Sequence, residues 1–535
     1  MSSMDRRVTW VGTVLLLCFV LLFVQMNNLQ VRQAAALNAN PLNSHITSVP
    51  STFFEPRGEI ISADGYVLAY SRPSHDQYKY LRVYPTRTAD MFSDITGYYA
   101  NAVAAAPLGV EASYNNYLEE HAPPAGSLEA LLGQKTETDN VYLTISVKLQ
   151  EAAMKSLGAS VVKVGGAIVA LDPRTGAILA MSGYPYYDPN RLSQHKPATV
   201  NALATIWNSR DGGTCAAPES GQQVLLNPFC NWATQETNAP GSTMKVITSS
   251  AVIAHDPSIE HQTFQPVSSI PYPNCTGQLC SIQNYDKEVC PPVKSVGLAQ
   301  VLASSCDTAY AEIGYELGYN RMAEEARSFG FEQVPPIDIP NAQASSFPTS
   351  TEVGDSTAYE GQEAIGQYDD SATVLQMALV ASAIADNGVI MAPHVVSRAV
   401  NPYGQTVFTY HPHIWLRATS TSTAEQVRQL MTGVTGATGL QDTTAGSLFA
   451  GWYAFGGPTI AAKTGTAEPG ANTCGTYNWL IALGPAAKGQ TPTVAVAAMI
   501  PVPPSECSAA GYSPTGATVA GPVLLPVLQA ALGIK

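Results

Sequence analysis

Charge is scarce in this sequence: of 535 residues only 13% are Asp, Glu, Lys or Arg, while 45% are hydrophobic. So little charge beside so much apolar surface excludes a disordered chain, because burial can offset the entropy of ordering it. Basic residues are the scarcer sign, with 27 Lys and Arg against 41 Asp and Glu, a formal net charge of -14. That balance repels phosphate backbones and releases no counterions from them, which excludes nucleic acid as a partner. The 42 Gly and 38 Pro follow no period, so collagen-like and repeat architectures are excluded as well. Metal-ligand spacing is also lacking. The nine His, His411 and His413 included, are scattered, and no two close Cys pairs accompany them, so no metal site is expected.

One uncharged run stands out, from Val8 to Val24, just long enough to cross a bilayer core. Arg6 and Arg7 precede it, and the positive-inside bias puts the short amino terminus in the cytoplasm and everything after the span outside. The expectation is a single-pass protein of the cell membrane with an extracytoplasmic bulk. A cleaved signal peptide is the competing reading, since Ala34-Ala35-Ala36 offers a small-residue site, although well beyond Val24. Cys18 lies in the run, and the other eight cysteines, at 215, 230, 275, 280, 290, 306, 474 and 507, would face an oxidising compartment. Disulfides are expected. Cys474 and Cys507 flank the last strand patterns and are the preferred pair, while Cys306 reads as a small buried hydrophobe.

Three segments organise the chain: a cytoplasmic tip and anchor over 1–25, a stalk and small α/β module over 26–150, and a large domain over 151–535. In the module, Arg57-Gly58-Glu59-Ile60-Ile61 and the run from Ala63 to Ala69 predict two short strands about an Asp64-Gly65 turn. Helical spacing covers Thr144 to Leu157, and Gly166 to Met181 reads as strand, turn, strand. Further helices are predicted over Thr243 to Ala254, Ser295 to Leu317 and Thr373 to Asn387, the last ended by Gly388. Strands return at Thr459 to Lys463, Tyr477 to Gly484 and Thr493 to Ile500. This order predicts an α+β fold in which both ends of the large domain share one sheet around a helical middle.

A serine with a lysine one helical turn away can lose its hydroxyl proton to that lysine, so Ser-x-x-Lys marks candidate nucleophiles. The pattern occurs at Ser160 and Lys163, at Ser193 and Lys196, and at Ser242 and Lys245. Only Ser242 follows a Pro-Gly pair and opens an amphipathic run, with Met244, Ile247, Ala251 and Ala254 as its buried stripe. Its hydroxyl would then sit at a helix N-terminus, where the dipole favours developing negative charge. Ser305-Cys306-Asp307 and Lys463-Thr464-Gly465-Thr466 follow in order, the second placed at the end of an apolar strand pattern. Taken singly these read as a cap, a polar helix residue and a strand-end charge. Together they form the set of elements that one class of serine acyltransferases uses.

With these residues the chain resembles the class B penicillin-binding proteins, which are peptidoglycan D,D-transpeptidases, along nearly its whole length. Arg57-Gly58-Glu59-Ile60 with Asp64-Gly65 is similar to their amino-terminal signature, and Ala170 to Gly176 to their opening hairpin. Ile365-Gly366-Gln367 and Leu375-Gln376-Met377-Ala378 match the region between the second and third motifs. Lys79 to Pro85 and Thr96-Gly97-Tyr98-Tyr99 resemble the PbpA branch found in actinobacteria.

The resemblance implies a penicillin-binding transpeptidase fold, a central antiparallel sheet with a helical subdomain, behind a dimerisation or pedestal module. It implies that Ser242 attacks the penultimate D-Ala of a stem peptide, that Lys245 takes its proton, and that Ser305 relays a proton to the leaving amine. Lys463, Thr464, Gly465 and Thr466 would hold the substrate, with Lys463 charged, and the backbone N–H groups of Ser242 and Thr466 would form the oxyanion hole. No metal or organic cofactor is required. Implied partners are stem peptides and their lipid-linked precursor, β-lactams as covalent inhibitors, the membrane, and a glycan polymerase of the shape, elongation, division and sporulation family. A role in cell division goes with them. Asp307 departs from the family, whose second motif ends in Asn, and an ionised carboxylate there accepts hydrogen bonds only. It should raise the pKa of Lys245 and leave less of the neutral base, tuning the enzyme differently or impairing it. Two other readings stay open: a carboxypeptidase or β-lactam hydrolase, and a wall-assembly scaffold or sensor.

Overall fold

The computed structural model describes residues 3–27, 55–76, 78–100, 108–119, 137–159, 165–195, 229–272, 281–290, 296–349, 357–468, 475–503 and 514–534. An amino-terminal helix, α1 (Ser3–Asn27), carries the uncharged run and leaves Leu16, Phe19, Leu21 and Phe23 exposed. Among the described residues no helix is long and apolar enough to cross a membrane. The predicted stalk beyond Asn27 and the Cys474 and Cys507 pair lie outside the described residues.

The module begins with β1 (Ile60–Ile61), β2 (Val67–Pro73), β3 (Tyr80–Val83) and β4 (Asn140–Leu143). The expected turn is present, with Gly65 at φ +84 between β1 and β2. The large domain opens on β5 (Gly166–Leu171) and β6 (Ile178–Tyr184), and a small hairpin pairs β7 (Ser269–Pro271) with β8 (Ser281–Gln283). Then come β9 (Val389–Met391), β10 (Val396–Val400), β11 (Thr406–Thr409) and β12 (Ile414–Arg417). Three strands close the domain, β13 (Ala461–Ala467), β14 (Thr476–Gly484) and β15 (Val494–Val502).

The central sheet runs β13-β14-β15-β5-β6 and is antiparallel throughout, so the ends of the large domain do meet, Ala498 standing opposite Ile168. Its inner strands are buried along their length, which requires cover on both faces. That cover includes α2 (Val147–Ala159), the wholly buried Val374–Ala385 helix and the carboxy-terminal Gly521–Ala531 helix. The Val374–Ala385 helix is apolar but for Gln376 and Ser382 because it has no solvent side. Helix α2 starts later than its predicted Thr144: Asp64, from the module's turn, accepts the Val147 and Lys148 N–H groups and so caps it from outside.

The module is less self-contained than its sequence reads. Its sheet runs β11-β10-β4-β1-β2-β3, and the first two strands come from the large domain. Tyr114 of the module also donates to Asp338 at 2.7 Å, whose carboxylate accepts the Val395 and Val396 N–H groups.

Candidate active site

The first motif lies where chain and sheet approach most closely. Gly241–Thr243 forms a single 3-10 turn, and Lys245 is the first residue of α3 (Lys245–His255). Ser242 therefore stands in a tight turn just ahead of the helix. Gly241 has φ +52 and donates to the Gly366 carbonyl at 2.8 Å, while a Cβ on Gly366 would fall 2.1 Å from the Gly241 oxygen. A side chain cannot fit there, which explains the glycine in Ile365-Gly366-Gln367. On the other side a Cβ on Gly465 would fall 2.7 Å from the Pro240 carbonyl, so glycine lets β13 reach the same turn.

The second motif breaks the helix predicted over Ser295 to Leu317. Two helices form, α4 (Leu298–Ala303) and α5 (Asp307–Leu317). Ser305 takes the left-handed conformation at φ +58, with Ser305 N–H on the Leu302 carbonyl and Cys306 N–H on the Val301 carbonyl. That is the Schellman stop, here made by a serine instead of the usual glycine, and periodicity alone does not show it. Cys306 is joined to Cys290, which corrects its reading as a plain buried hydrophobe. Cys230 is disulfide-bonded as well.

The third motif also differs from expectation. Lys463 lies inside β13, opposite Ile481, and the strand continues to Ala467. A buried lysine mid-strand needs partners, and it donates to Ser305 Oγ at 2.7 Å and to the Thr464 carbonyl at 2.9 Å.

These elements bring five predicted residues into one cluster. Lys245 Nζ donates to Asp307 Oδ1 at 2.6 Å and to the Ser305 carbonyl at 2.7 Å, with Ser305 Oγ at 3.4 Å. Ser242 Oγ donates to the same Asp307 oxygen at 3.4 Å. Ser305 Oγ thus faces both lysines. Burial lowers the Lys245 pKa on balance, while Asp307 raises it, as expected from the sequence, and so offsets part of that lowering. Burial and the neighbouring Lys245 push Lys463 well below its usual range, against the expectation of a charged Lys463. Thr464 and Thr466 each have a neighbour: Thr464 Oγ1 donates to Thr444 Oγ1 at 2.7 Å, and the half-buried Thr466 accepts the Gly516 N–H on its Oγ1 at 3.2 Å. Of the rival pairs, Ser160, Lys163 and Lys196 lie outside the described residues, and Ser193 is buried.

Residues 166–529 match the penicillin binding protein transpeptidase domain, and residues 57–141 the penicillin binding protein A dimerisation domain. The chain belongs to the penicillin-binding protein transpeptidase family. Among the relatives of this penicillin-binding protein is the peptidoglycan D,D-transpeptidase PbpA of Mycolicibacterium smegmatis, 32% identical over 99% of both chains. PbpA of Mycobacterium tuberculosis is 31% identical, again over 99% of both. The crystal structure of PBPA from M. tuberculosis superposes with a TM-score of 0.72 at 29% identity, covering 89% of this chain and 99% of that one. Its penicillin G acyl-enzyme complex gives 0.71 at 28%, covering 89% and 100%.

Several participants escape sequence reasoning. Thr444, Gly516 and Asn284 reach the motifs only through the fold, and their identities carry no local pattern; Cys290 is a disulfide candidate in the sequence, but its pairing with Cys306 is tertiary. Gly366 had a signal in the resemblance, but its reason, contact with Gly241, is tertiary. Among the described residues no group of three His, Cys, Asp or Glu is placed to hold a metal.

Proposed function

We propose that this chain crosslinks peptidoglycan by D,D-transpeptidation through an acyl-enzyme on Ser242. The observation that carries the reading is the convergence of Ser242, Lys245, Ser305, Asp307 and Lys463 in one hydrogen-bonded cluster, in which both lysines are buried and the other three residues half-buried. A neutral Lys245 has two N–H donors, which suit the Ser305 carbonyl and Asp307, and one lone pair left for the Ser242 proton. Ser242 Oγ then bonds to the carbonyl carbon of the penultimate D-Ala, and the proton passes to Lys245. Ser305 Oγ, between the two amines, carries a proton to the departing amine as the C–N bond breaks. An acceptor amine attacks the ester, forms the crosslink and restores Ser242. The terminal carboxylate of the substrate would supply Lys463 with a counter-ion that favours its charged form.

Covalent binding of penicillin follows from the same chemistry, and the acyl-enzyme complexes solved for the M. tuberculosis relative support it. Incubation of the chain with penicillin G should add one equivalent at Ser242 by intact mass and peptide mapping. Ser242→Ala should lose it; label on another serine, or none on the native chain, would overturn the assignment. The carboxypeptidase or hydrolase reading differs only in using water as acceptor, and product analysis with an added amine separates them. The scaffold reading rests on Asp307, and acylation of the native chain would remove it.

The reading extends to location and partners. The run from Val8 to Val24, with the side chains of Leu15 to Val24 mostly exposed on α1, anchors residues 1–25 in the cell membrane with a short cytoplasmic tip. Residues 26–150 form the stalk and dimerisation or pedestal module and 151–535 the extracytoplasmic transpeptidase domain. The partners are stem peptides, their lipid-linked precursor and a membrane glycan polymerase, and the process is wall synthesis during cell division. Protease protection of tagged termini in spheroplasts tests the orientation.

A further inference from the structure

Helix α5 begins at Asp307, yet its N-cap residue, Cys306, offers no side-chain cap because its sulfur is bonded to Cys290. The first N–H groups of a helix have no partner within it and need one from elsewhere. Here the partner is distant in sequence. Asn284 Oδ1 accepts the Thr308 N–H at 3.0 Å and the Thr308 hydroxyl at 3.2 Å. Its Nδ2 donates to the Val267 carbonyl at 2.8 Å and to the Glu288 carbonyl at 3.0 Å. With both donors on carbonyls the amide can turn only its oxygen to the helix, and Asn284 is buried.

We infer that Asn284 is a positioning residue for acyl transfer: by capping α5 from the neighbouring loop it fixes Asp307 and Ser305 against the two active-site lysines. Thr308 directly follows Asp307, so the capped peptide is the one that carries the carboxylate. A displacement of about 1 Å is enough to matter, because Asp307 Oδ1 lies 2.6 Å from Lys245 Nζ and the Ser305 carbonyl 2.7 Å from it. The groups facing Lys245 are Asp307 of α5, Lys463 of β13, the Ser305 oxygens between the helices, and the Tyr310 ring 5.3 Å away. Of these only Asp307 favours the charged amine through opposite charge. Loosening it therefore leaves Lys245 easier to deprotonate while spoiling the geometry of transfer.

The inference rests on the acyl-transfer reading, and the experiment separates the two. Penicillin G acylation rates of the full-length chain are measured across pH for the native protein, Asn284→Ala, Asp307→Asn and the double variant, beside thermal unfolding of each. Asn284→Ala should lower the plateau rate about tenfold, the scale of one lost hydrogen bond to a buried group, and move the rising limb to lower pH. In the Asp307→Asn background the limb should not move again. A loss of rate that follows only the unfolded fraction, with the limb unmoved, would overturn the inference, as would limb shifts that add. If the alanine variant does not fold, Asn284→Ser, whose shorter hydroxyl keeps a partial cap, should show the same limb shift in smaller measure, and an unmoved limb there overturns it equally. A native chain that penicillin G does not label would instead bring down the acyl-transfer reading, and this inference with it.

Discussion

Two clusters in this molecule share a formula, two basic side chains around one carboxylate, and burial acts on them with opposite results. In the module, Arg57 Nε and Arg82 Nε donate to the two oxygens of Glu111 at 2.7 and 2.6 Å, and Tyr84 OH adds a third bond at 2.9 Å. In the large domain, Lys245 donates to Asp307 and Lys463 lies one hydroxyl away, on Ser305. Burial would raise the Glu111 pKa, but Arg82 and Arg57 outweigh it and hold it below its usual value; burial would lower that of Arg57, but Glu111 holds it above. Both ions stay fixed. The lysines go the other way, because burial outweighs Asp307 and lowers them. A guanidinium keeps its proton under all such conditions, whereas a desolvated ammonium gives it up. The choice of cation makes one cluster a clamp and suits the other to the proton transfer proposed for it.

The sharpest break of the comparison converts one cluster toward the other. Lys245→Arg keeps a charge but removes the base, and penicillin acylation should fall by about 10²- to 10⁴-fold, the usual share of a general base, in stopped-flow measurements. Glu111→Gln does the reverse to the clamp. It leaves two buried guanidiniums short of a counter-charge and should cost about 3–5 kcal/mol by chemical denaturation, with acylation per folded molecule unchanged. The native clamp should also respond to acid: with the Glu111 pKa depressed by folding, its contribution is present above the unfolded value of about 4.3 and is lost as pH falls through the folded one. A gentler change sharpens the contrast further. Asp307→Asn removes the one group that raises the Lys245 pKa, so the rising limb of acylation should move down by about one pH unit and the rate below it should rise about tenfold. Slower acylation at every pH would show that Asp307 works by holding the Lys245 ammonium as it forms. Smallest of all, Arg57→Lys keeps charge but gives up the bond to the Glu111 carbonyl and the stack on Tyr99, and should cost about 1–2 kcal/mol of stability.

How much of this was legible before folding differs between the clusters. The active-site motifs are local patterns, so Ser242, Lys245, Ser305 and Lys463 could be singled out by order and context. The clamp could be read only in part: Arg57 belongs to an amino-terminal signature, but nothing in the sequence pairs it with Glu111, 54 residues on. The same limit explains the broken helix at Ser305. Apolar spacing is continuous from Ser295 to Leu317, and the stop depends on a left-handed serine held by a disulfide and a neighbouring loop. The net lowering at Lys245 has a related cause, since a sequence shows that a carboxylate is near in the motif but not how much water the fold removes.

By itself, then, the sequence determined the elements: the α+β order, the shared sheet, the uncharged run, and three motifs whose residue types and order name a serine acyltransferase. These follow from periodicity, turn chemistry and short-range spacing, which act over a few residues. Tertiary structure decided the quantities that chemistry uses. It gave β10 and β11 to the module's sheet, joined Cys290 to Cys306, pressed Gly366 and Gly465 against the Ser242 turn, and buried both lysines completely. The physical reason is that desolvation and hydrogen-bond partners are properties of a packed neighbourhood, assembled here from segments more than 200 residues apart, as between Ser242 and Lys463, and no local pattern specifies their sum.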